Sequence, residues 1–91
     1  MFQSVEVSAT GDAIDLGNAN VTAGLGGARL TAASATATAV LRETDGSGRV
    51  LARLTAVANT ADELAPAKPI AFKGKVHATI TGTGALLSVF W

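Results

Sequence analysis

The feature that most constrains the fold is a run in which small and β-branched residues alternate. Residues 33–43 read ASATATAVLRE, so alanine alternates with serine or threonine in the first part of this run. Alanine by itself favours helix, but alternation at period two puts each residue type on one face of an extended strand. Ten glycines divide the remaining chain into similarly short segments. The sequence therefore predicts an all-β protein.

Alternation and turn signals together predict where the strands lie. The predicted strands are Phe2–Ala9, Asn20–Ala23, Ala28–Ala33, Ala35–Thr44, Arg49–Ala58, Ile70–Lys73, Lys75–Thr81 and Ala85–Trp91. The third and fourth could also be one continuous strand. In NTADELAP, residues 59–66, Thr60 and Glu63 have the spacing of a helix cap, but Pro66 ends any helix after about one turn. We therefore expect a loop there, with at most a single helical turn.

Short strands separated by turns favour a small antiparallel β-sandwich or a jelly-roll-like barrel of about seven to eight strands. The chain has 91 residues, so residues 1–91 are expected to form a single β-sandwich domain. A chain of this length can bury only a thin core, and its stability should be marginal.

The C-terminal strands predict a hairpin with a two-residue loop, Gly82-Thr83, in which Ile80 would pair with Ala85. Glycine at the first loop position suits a type II′ turn. A shift of one residue would turn every side chain over, and the two-residue loop keeps one face wholly apolar. That face would carry Val76, Ala78, Ile80, Ala85, Leu87, Val89 and Trp91.

A second hairpin is predicted between residues 35–44 and 49–58. A two-residue loop would place Arg42 opposite Arg49, and like charges directly opposite are unfavourable. A four-residue loop over residues 45–48 instead pairs Leu41 with Ala52 and Ala39 with Leu54. We therefore predict the longer loop.

The composition limits the classes of function. Nineteen alanines and eleven threonines stand against three phenylalanines, one tryptophan and no tyrosine, and only 15% of residues are charged, where about 25% is typical. A thin core under a weakly charged surface suggests that part of the surface meets other protein. Seven basic residues balance seven acidic ones, which argues against nucleic acid or an anionic membrane as partner. The N-terminus resembles no signal peptide, no segment is apolar enough to span a membrane, and there is no cysteine.

No residue pattern points to catalysis, so the chain is predicted not to be an enzyme, with no catalytic residues, cofactor or metal. His77 is the single histidine and has no recognisable nucleophile beside it. The glycines of GLGG, residues 24–27, lack the spacing of a phosphate loop and are expected to form a turn. The pairs Asp12 with Asp15 and Asp62 with Glu63 offer too few carboxylates for a calcium site, so solvated loop acids are expected.

The chain ends on Phe90-Trp91, and such apolar residues are unusual at an end that would otherwise fray. Trp91 falls on the inner face of its predicted strand and can be core. Leu86, Phe90 and His77 fall on the reverse face, where large apolar residues need a cover. The predicted interface residues are Phe2, Leu86, Phe90, Trp91 and His77.

Most of the chain resembles a class of small β-sandwich proteins encoded among the structural genes of tailed bacteriophages. The resemblance covers about residues 20–91, in the order ATATAVLRETDGSG, RVLARLTAVANT and APAKPIAFKGKVHATITGTGALLSVFW. It is carried mainly by Pro69, Phe72, Gly74 and the turn residues 81–84. Lys75 departs from it, because the class often has an apolar or aromatic residue there.

The resemblance implies a non-enzymatic virion structural protein, above all a capsid decoration or cement protein that stabilises the head through oligomeric contacts. Its partners would be itself, as a homotrimer or larger oligomer, and virion proteins such as the major capsid protein, with no nucleic acid and no membrane. It would be assembled in the host cytoplasm and located in the virion. The alternatives are a head-fibre, tail or baseplate component, a host-surface or glycan-binding module, and, as a third class, a small enzyme or metalloprotein.

Overall fold

The computed structural model describes residues 3–91, and over these residues the protein is all-β. The described strands are β1 (Ser4–Val7), β2 (Gly11–Asp15), β3 (Thr22–Leu25), β4 (Gly27–Thr31), β5 (Ala37–Glu43), β6 (Val50–Ala56), β7 (Ala61–Leu64), β8 (Ile70–Lys73), β9 (Lys75–Thr81) and β10 (Leu86–Phe90). Phe2 lies outside the described residues, so the predicted start of the first strand there is not described.

The strands form two four-stranded antiparallel sheets and a two-stranded ribbon. Sheet A has the order β1-β10-β4-β7, sheet B has the order β2-β9-β5-β6, and β3 pairs with β8 in the ribbon. β3 leads into β4 and β8 into β9, with Gly26 and Gly74 between them, so the ribbon extends beyond one end of both sheets. The sheets share one hydrophobic core and do not close into a barrel over the described residues. The predicted small antiparallel β-sandwich is therefore confirmed.

The core is built from alternate residues of the strands in both sheets. Its largest fully buried side chains are Phe72, Ile14, Leu25, Leu30, Leu41, Leu87, Val76 and Val89, and much of the remainder is alanine. Phe72 and Leu25 come from the ribbon, which thus contributes two of these large side chains. Since alanine adds little apolar area, these large residues supply most of the driving force for folding.

The hairpin of β5 and β6 has the predicted inner pairing, but its loop end differs. Leu41 pairs with Ala52 and Ala39 with Leu54, and the inward residues of both strands are buried. A β-bulge after Leu41 then shifts the pairing by one residue, so that Val50 lies opposite Arg42. The Glu43 amide donates to the Arg49 carbonyl, so the loop has one residue more than the predicted four. The arrangement avoids the like-charge pair that a two-residue loop would create.

The predicted C-terminal hairpin is wrong. β9 pairs with β2 and β5 in sheet B, whereas β10 pairs with β1 and β4 in sheet A. The predicted apolar residues nevertheless point inward, because they meet across the core rather than side by side. Alternation records which side chains face the core but not whether a turn joins neighbours in one sheet or passes between two sheets.

Two strands are absent from the prediction for different physical reasons. In β2 the pairing shifts between Asp12 and Ile14, so Ala13 and Ile14 are both buried and the alternation is broken. The loop or helical turn predicted around residues 59–66 is wrong, because residues 61–64 form β7. There, pairing with β4 overrides the weak local preference for helix.

The predicted turn in GLGG also differs from the structure. Gly24 lies within β3 and Gly27 within β4, so the segment continues from the ribbon into sheet A instead of reversing the chain. The amide of Gly26 donates to the Phe90 carbonyl at 2.8 Å, which fixes the junction to the end of β10.

Candidate interaction surfaces

The outer face of sheet A carries two of the predicted interface residues. On β10, Leu87 and Val89 point into the core, whereas Leu86 and Phe90 point outward and are 37% and 39% exposed. Because β10 is a central strand of this sheet, both residues lie on its outer surface rather than at its edge. We call Leu86 and Phe90 the β10 patch.

Phe90 lies beside a glycine on the next strand. Gly27 is its cross-strand partner in β4, and a β-carbon at Gly27 would lie 3.7 Å from the Phe90 ring. Between the two patch residues, a polar row crosses the sheet through Glu6, Ser88, Arg29 and Glu63. In that row Arg29 and Glu63 form an exposed ion pair at 3.1 Å. The β10 patch thus consists of two apolar areas separated by polar residues.

Trp91 packs against the core, as its position in the alternation of the last strand predicts. It is partly buried and packs on the core cluster, and its backbone exchanges two hydrogen bonds with Gln3, at 2.8 and 3.0 Å. These bonds continue the pairing of β1 with β10 and hold the last residue in place. Trp91 therefore belongs to the end of the core, while Phe2 lies outside the described residues.

His77 lies on the opposite side of the molecule from the β10 patch. It faces outward from sheet B, where its Nδ1 is 3.5 Å from Asp12 Oδ1 on β2. Arg42 of β5 is its cross-strand neighbour on the other side. The expectation that His77, Leu86 and Phe90 share one surface depended on the hairpin of β9 with β10. It is wrong, because those strands belong to different sheets.

An open cleft of about 510 Å³ lies beside the base of the ribbon. Its lining is Asp15, Gly17, Asn18, Ala19, Thr44, Asp45, Lys73, Gly74 and Lys75. The lining is therefore polar and of mixed charge, and it contains no aromatic side chain on which a sugar or a base could stack.

The acidic side chains at this cleft are engaged by their own loops. Asp15 Oδ1 accepts from the Gly17 amide at 2.8 Å, and Asp45 Oδ1 accepts from the amide and hydroxyl of Ser47 at 2.9 and 3.0 Å. The bonds from Ser47, above all, lower the pKa of Asp45. Lys75 lies 3.5 Å from Asp12 and 4.0 Å from Asp15. Within residues 3–91, no three histidine or acidic side chains are grouped as a metal ion would require.

An ion pair on the β5–β6 hairpin covers the outer edge of β8. Glu43 Oε2 accepts from the Lys73 amide at 2.9 Å, and Arg49 donates to the Ala71 carbonyl at 3.0 Å. The two side chains also contact each other at 3.5 Å. They supply the hydrogen bonds that a neighbouring strand would otherwise make, and so fasten the ribbon to sheet B.

Side chains cover two further backbone positions in a similar way. Asp62 of β7 accepts from the Thr55 amide on β6 at 3.0 Å, which joins the two sheets along one side. Thr10 exchanges hydrogen bonds with the amide and carbonyl of Ile80 on β9, at 3.0 and 3.3 Å. Unpaired strand edges invite association with other chains, and such coverings suppress it.

The Glu43 contact predicts a loss of stability in acid. The Lys73 amide, followed by Arg49, holds the pKa of Glu43 below its ordinary value. A carboxyl group whose pKa is lower in the folded state stabilises the fold at pH values above its pKa in the unfolded state. This stabilisation is lost as the pH falls through the pKa of the folded state. We therefore expect the urea midpoint to fall below about pH 4.3, and to fall less in a Glu43→Gln variant.

The matched control for this prediction is Glu6→Gln, because Glu6 lies in an exposed position on β1. Its midpoint should follow that of the wild type from pH 7 to pH 3. Equal pH dependence in the wild type and the Glu43→Gln variant would show that Glu43 does not fasten the ribbon.

Several residues that shape these surfaces are absent from the sequence-based prediction. The edge-covering role of Glu43 and Arg49 has one visible signal, which is opposite charges flanking the predicted hairpin loop at residues 45–48. The contact of Phe90 with Gly27 has no such signal, because it depends on β10 pairing with β4.

No helix in the described part of the chain has the length and apolarity needed to cross a membrane. Comparison of the chain with other proteins leaves its family open. The chain matches no protein-family model, no curated protein and no solved structure.

Proposed function

We propose that the protein is a non-enzymatic structural protein of a tailed-phage particle, and that it decorates or cements the capsid. The observation that carries the proposal is the β10 patch, whose Leu86 and Phe90 are exposed on the outer face of sheet A. A strand-built domain with apolar residues on a stable sheet surface is suited to attachment to other proteins. The resemblance of residues 20–91 to phage structural proteins supplies the biological setting.

The charge and shape of the protein also support attachment to a protein shell. The chain has no net formal charge and measures 39 × 25 × 19 Å along its principal axes. A small neutral domain can approach its neighbours without strong repulsion. On a capsid lattice, individually weak contacts gain strength because many copies attach together.

The primary test uses tailed-phage particles induced from the bacterium that carries the coding sequence. Immunogold labelling with antibody against the purified protein should mark the heads. Label confined to tails, baseplates or fibres would show that the protein is a structural component of that part of the particle. Particles without label would refute the proposal. Labelled cell envelopes in place of particles would favour a host-surface or glycan-binding module.

The β10 patch has its own prediction, which is that Phe90→Ser reduces binding to purified capsid shells. Loss of a central aromatic contact typically weakens binding by about 30-fold or more. Co-sedimentation of the protein with shells measures the change, and circular dichroism checks that the variant remains folded.

The matched control is Val57→Ser, since Val57 is 64% exposed but lies next to the end of β6, in the other sheet. It should bind shells as the wild type does. Equal binding by both variants and the wild type would show that the β10 patch does not contact the shell.

A further inference from the structure

The free edge of β1 has no protection among the described residues. Gln3 exchanges backbone hydrogen bonds with Trp91. Because the backbone groups alternate in direction along a strand, the amide and carbonyl groups of Val5 and Val7 also point towards β10. The amide and carbonyl groups of Ser4 and Glu6 therefore point away from sheet A. Within residues 3–91, no side chain bonds to them.

Three of the other edges show the kinds of protection that β1 lacks. β2 has a bulge, β7 has the inward-pointing carboxylate of Asp62, and β8 has the Glu43–Arg49 pair. These are recognised ways of blocking an edge. The inward residues of β1 are Val5 and Val7, which are only partly buried although they pack on the core. The edge is thus both unpaired and incompletely covered.

We infer that the β1 edge pairs with β1 of a second copy, which joins two copies of sheet A into one continuous eight-stranded sheet. The inference adds a second copy of the chain as a partner and rests on the proposed function, in which many copies attach to one repetitive surface. It uses a different surface from the β10 patch, because one is a strand edge and the other a sheet face.

The sequence of β1 selects one register for this contact. In an antiparallel pair, directly opposite residues share a face, so inward valines must meet inward residues. Pairing Val5 with Val5 of the second copy satisfies that condition and sets Ser4 opposite Glu6 on both sides of the two-fold axis. A pairing centred on Glu6 would oppose two carboxylates, which is unfavourable.

The contact should be weak in solution, because a four-residue strand offers few hydrogen bonds and little apolar area. The chain's zero net formal charge keeps long-range repulsion low. Two copies joined in this way would present two β10 patches on one continuous face. The pairing would then raise the avidity of the protein for a repetitive surface.

Charge substitutions at Ser4 test both the contact and its register, with sedimentation equilibrium from about 10 μM to 1 mM as the measurement. Ser4→Glu would oppose carboxylates at two symmetric positions and should weaken dimerisation about tenfold, whereas Ser4→Lys should strengthen it about as much at low salt. If Ser4 instead faced Ser4 of the second copy, both substitutions would weaken the dimer. That result, or a wild-type monomer at 1 mM, would overturn the inference.

Glu6→Pro provides a second variant that spares the fold. The amide that proline lacks faces away from β10, so the intramolecular pairing of β1 remains intact while each copy loses one intermolecular hydrogen bond. We expect a folded monomer with an unchanged urea midpoint at low protein concentration. A Glu6→Pro variant that dimerises like the wild type would also overturn the inference.

The outcomes separate this inference from the proposed function. A wild-type dimer disrupted by Glu6→Pro supports the β1 contact even if the protein labels no phage particle. A wild-type monomer that binds capsid shells through Phe90 overturns the β1 contact and leaves the proposed function in place.

Discussion

Replacing Phe72 with alanine is expected to lower the free energy of unfolding by about 3 to 5 kcal/mol. Phe72 is 1% exposed and is the largest of the fully buried side chains in the core. It lies on the ribbon strand β8, where its loss leaves a cavity beneath the ribbon. Since a domain of this size has a total stability of about 5 to 14 kcal/mol, much of that stability would be lost. Equilibrium unfolding in urea measures the change.

The matched control for this prediction is Phe90→Ala, which removes the same atoms from a side chain that is 39% exposed. Its cost should be about 1 kcal/mol, because much of the Phe90 ring contacts water in the folded protein. Similar losses in both variants would show that the ribbon does not contribute to the core. A selective loss at Phe72 would show that the ribbon folds together with the two sheets.

Alternation in the sequence is sufficient to predict the fold class and the register of the β5–β6 hairpin. Two independent constraints act there, since the inward alanines and leucines must share a face and Arg42 must avoid Arg49. Both point to the same register, and the observed pairing of Leu41 with Ala52 agrees, but the bulge that adds one residue to the loop has no signal in the alternation. Local patterns succeed where the two partner strands are close in the chain.

The remaining strand pairings depend on contacts that the local pattern does not contain. Asp12 and Ala13 read as loop residues because the bulge in β2 breaks the alternation. Residues 61–64 form a strand because β4 supplies a partner, with Arg29 opposite Glu63. In both cases the information lies in a distant strand.

The interface prediction was limited by the same error in strand pairing. Leu86 and Phe90 are exposed together as expected, because their direction depends only on alternation within β10. His77 lies on the other sheet, because its position depends on the partners of β9. Whether any of these residues contacts another protein remains a prediction for the binding experiments.

Gly82 lies at the step where the chain passes from sheet B to sheet A, and its replacement tests how closely that step packs against the start of β5. It has a φ of +116°, and a β-carbon there would lie 2.8 Å from the Thr36 carbonyl oxygen and 2.9 Å from Ala37 Cα. Both neighbours are backbone atoms, so neither can rotate away. A Gly82→Ala variant should therefore lose about 3 kcal/mol or more, from backbone strain and displacement of the β4–β5 connection together.

Replacements at two other glycines allow backbone strain and steric displacement to be measured separately. At Gly17, with a φ of +80°, an added β-carbon meets nothing within 4 Å, so Gly17→Ala tests backbone strain alone and should cost about 1 kcal/mol. At Gly11 there is neither contact nor positive φ, so Gly11→Ala should change stability by less than about 1 kcal/mol. The contact at Gly82 follows from the pairing of β9 with β5, in which Thr81 lies opposite Thr38. Without that close approach, the replacement of Gly82 would cost no more than that of Gly17. Urea midpoints for the three variants therefore test whether the turn after β9 packs against the start of β5.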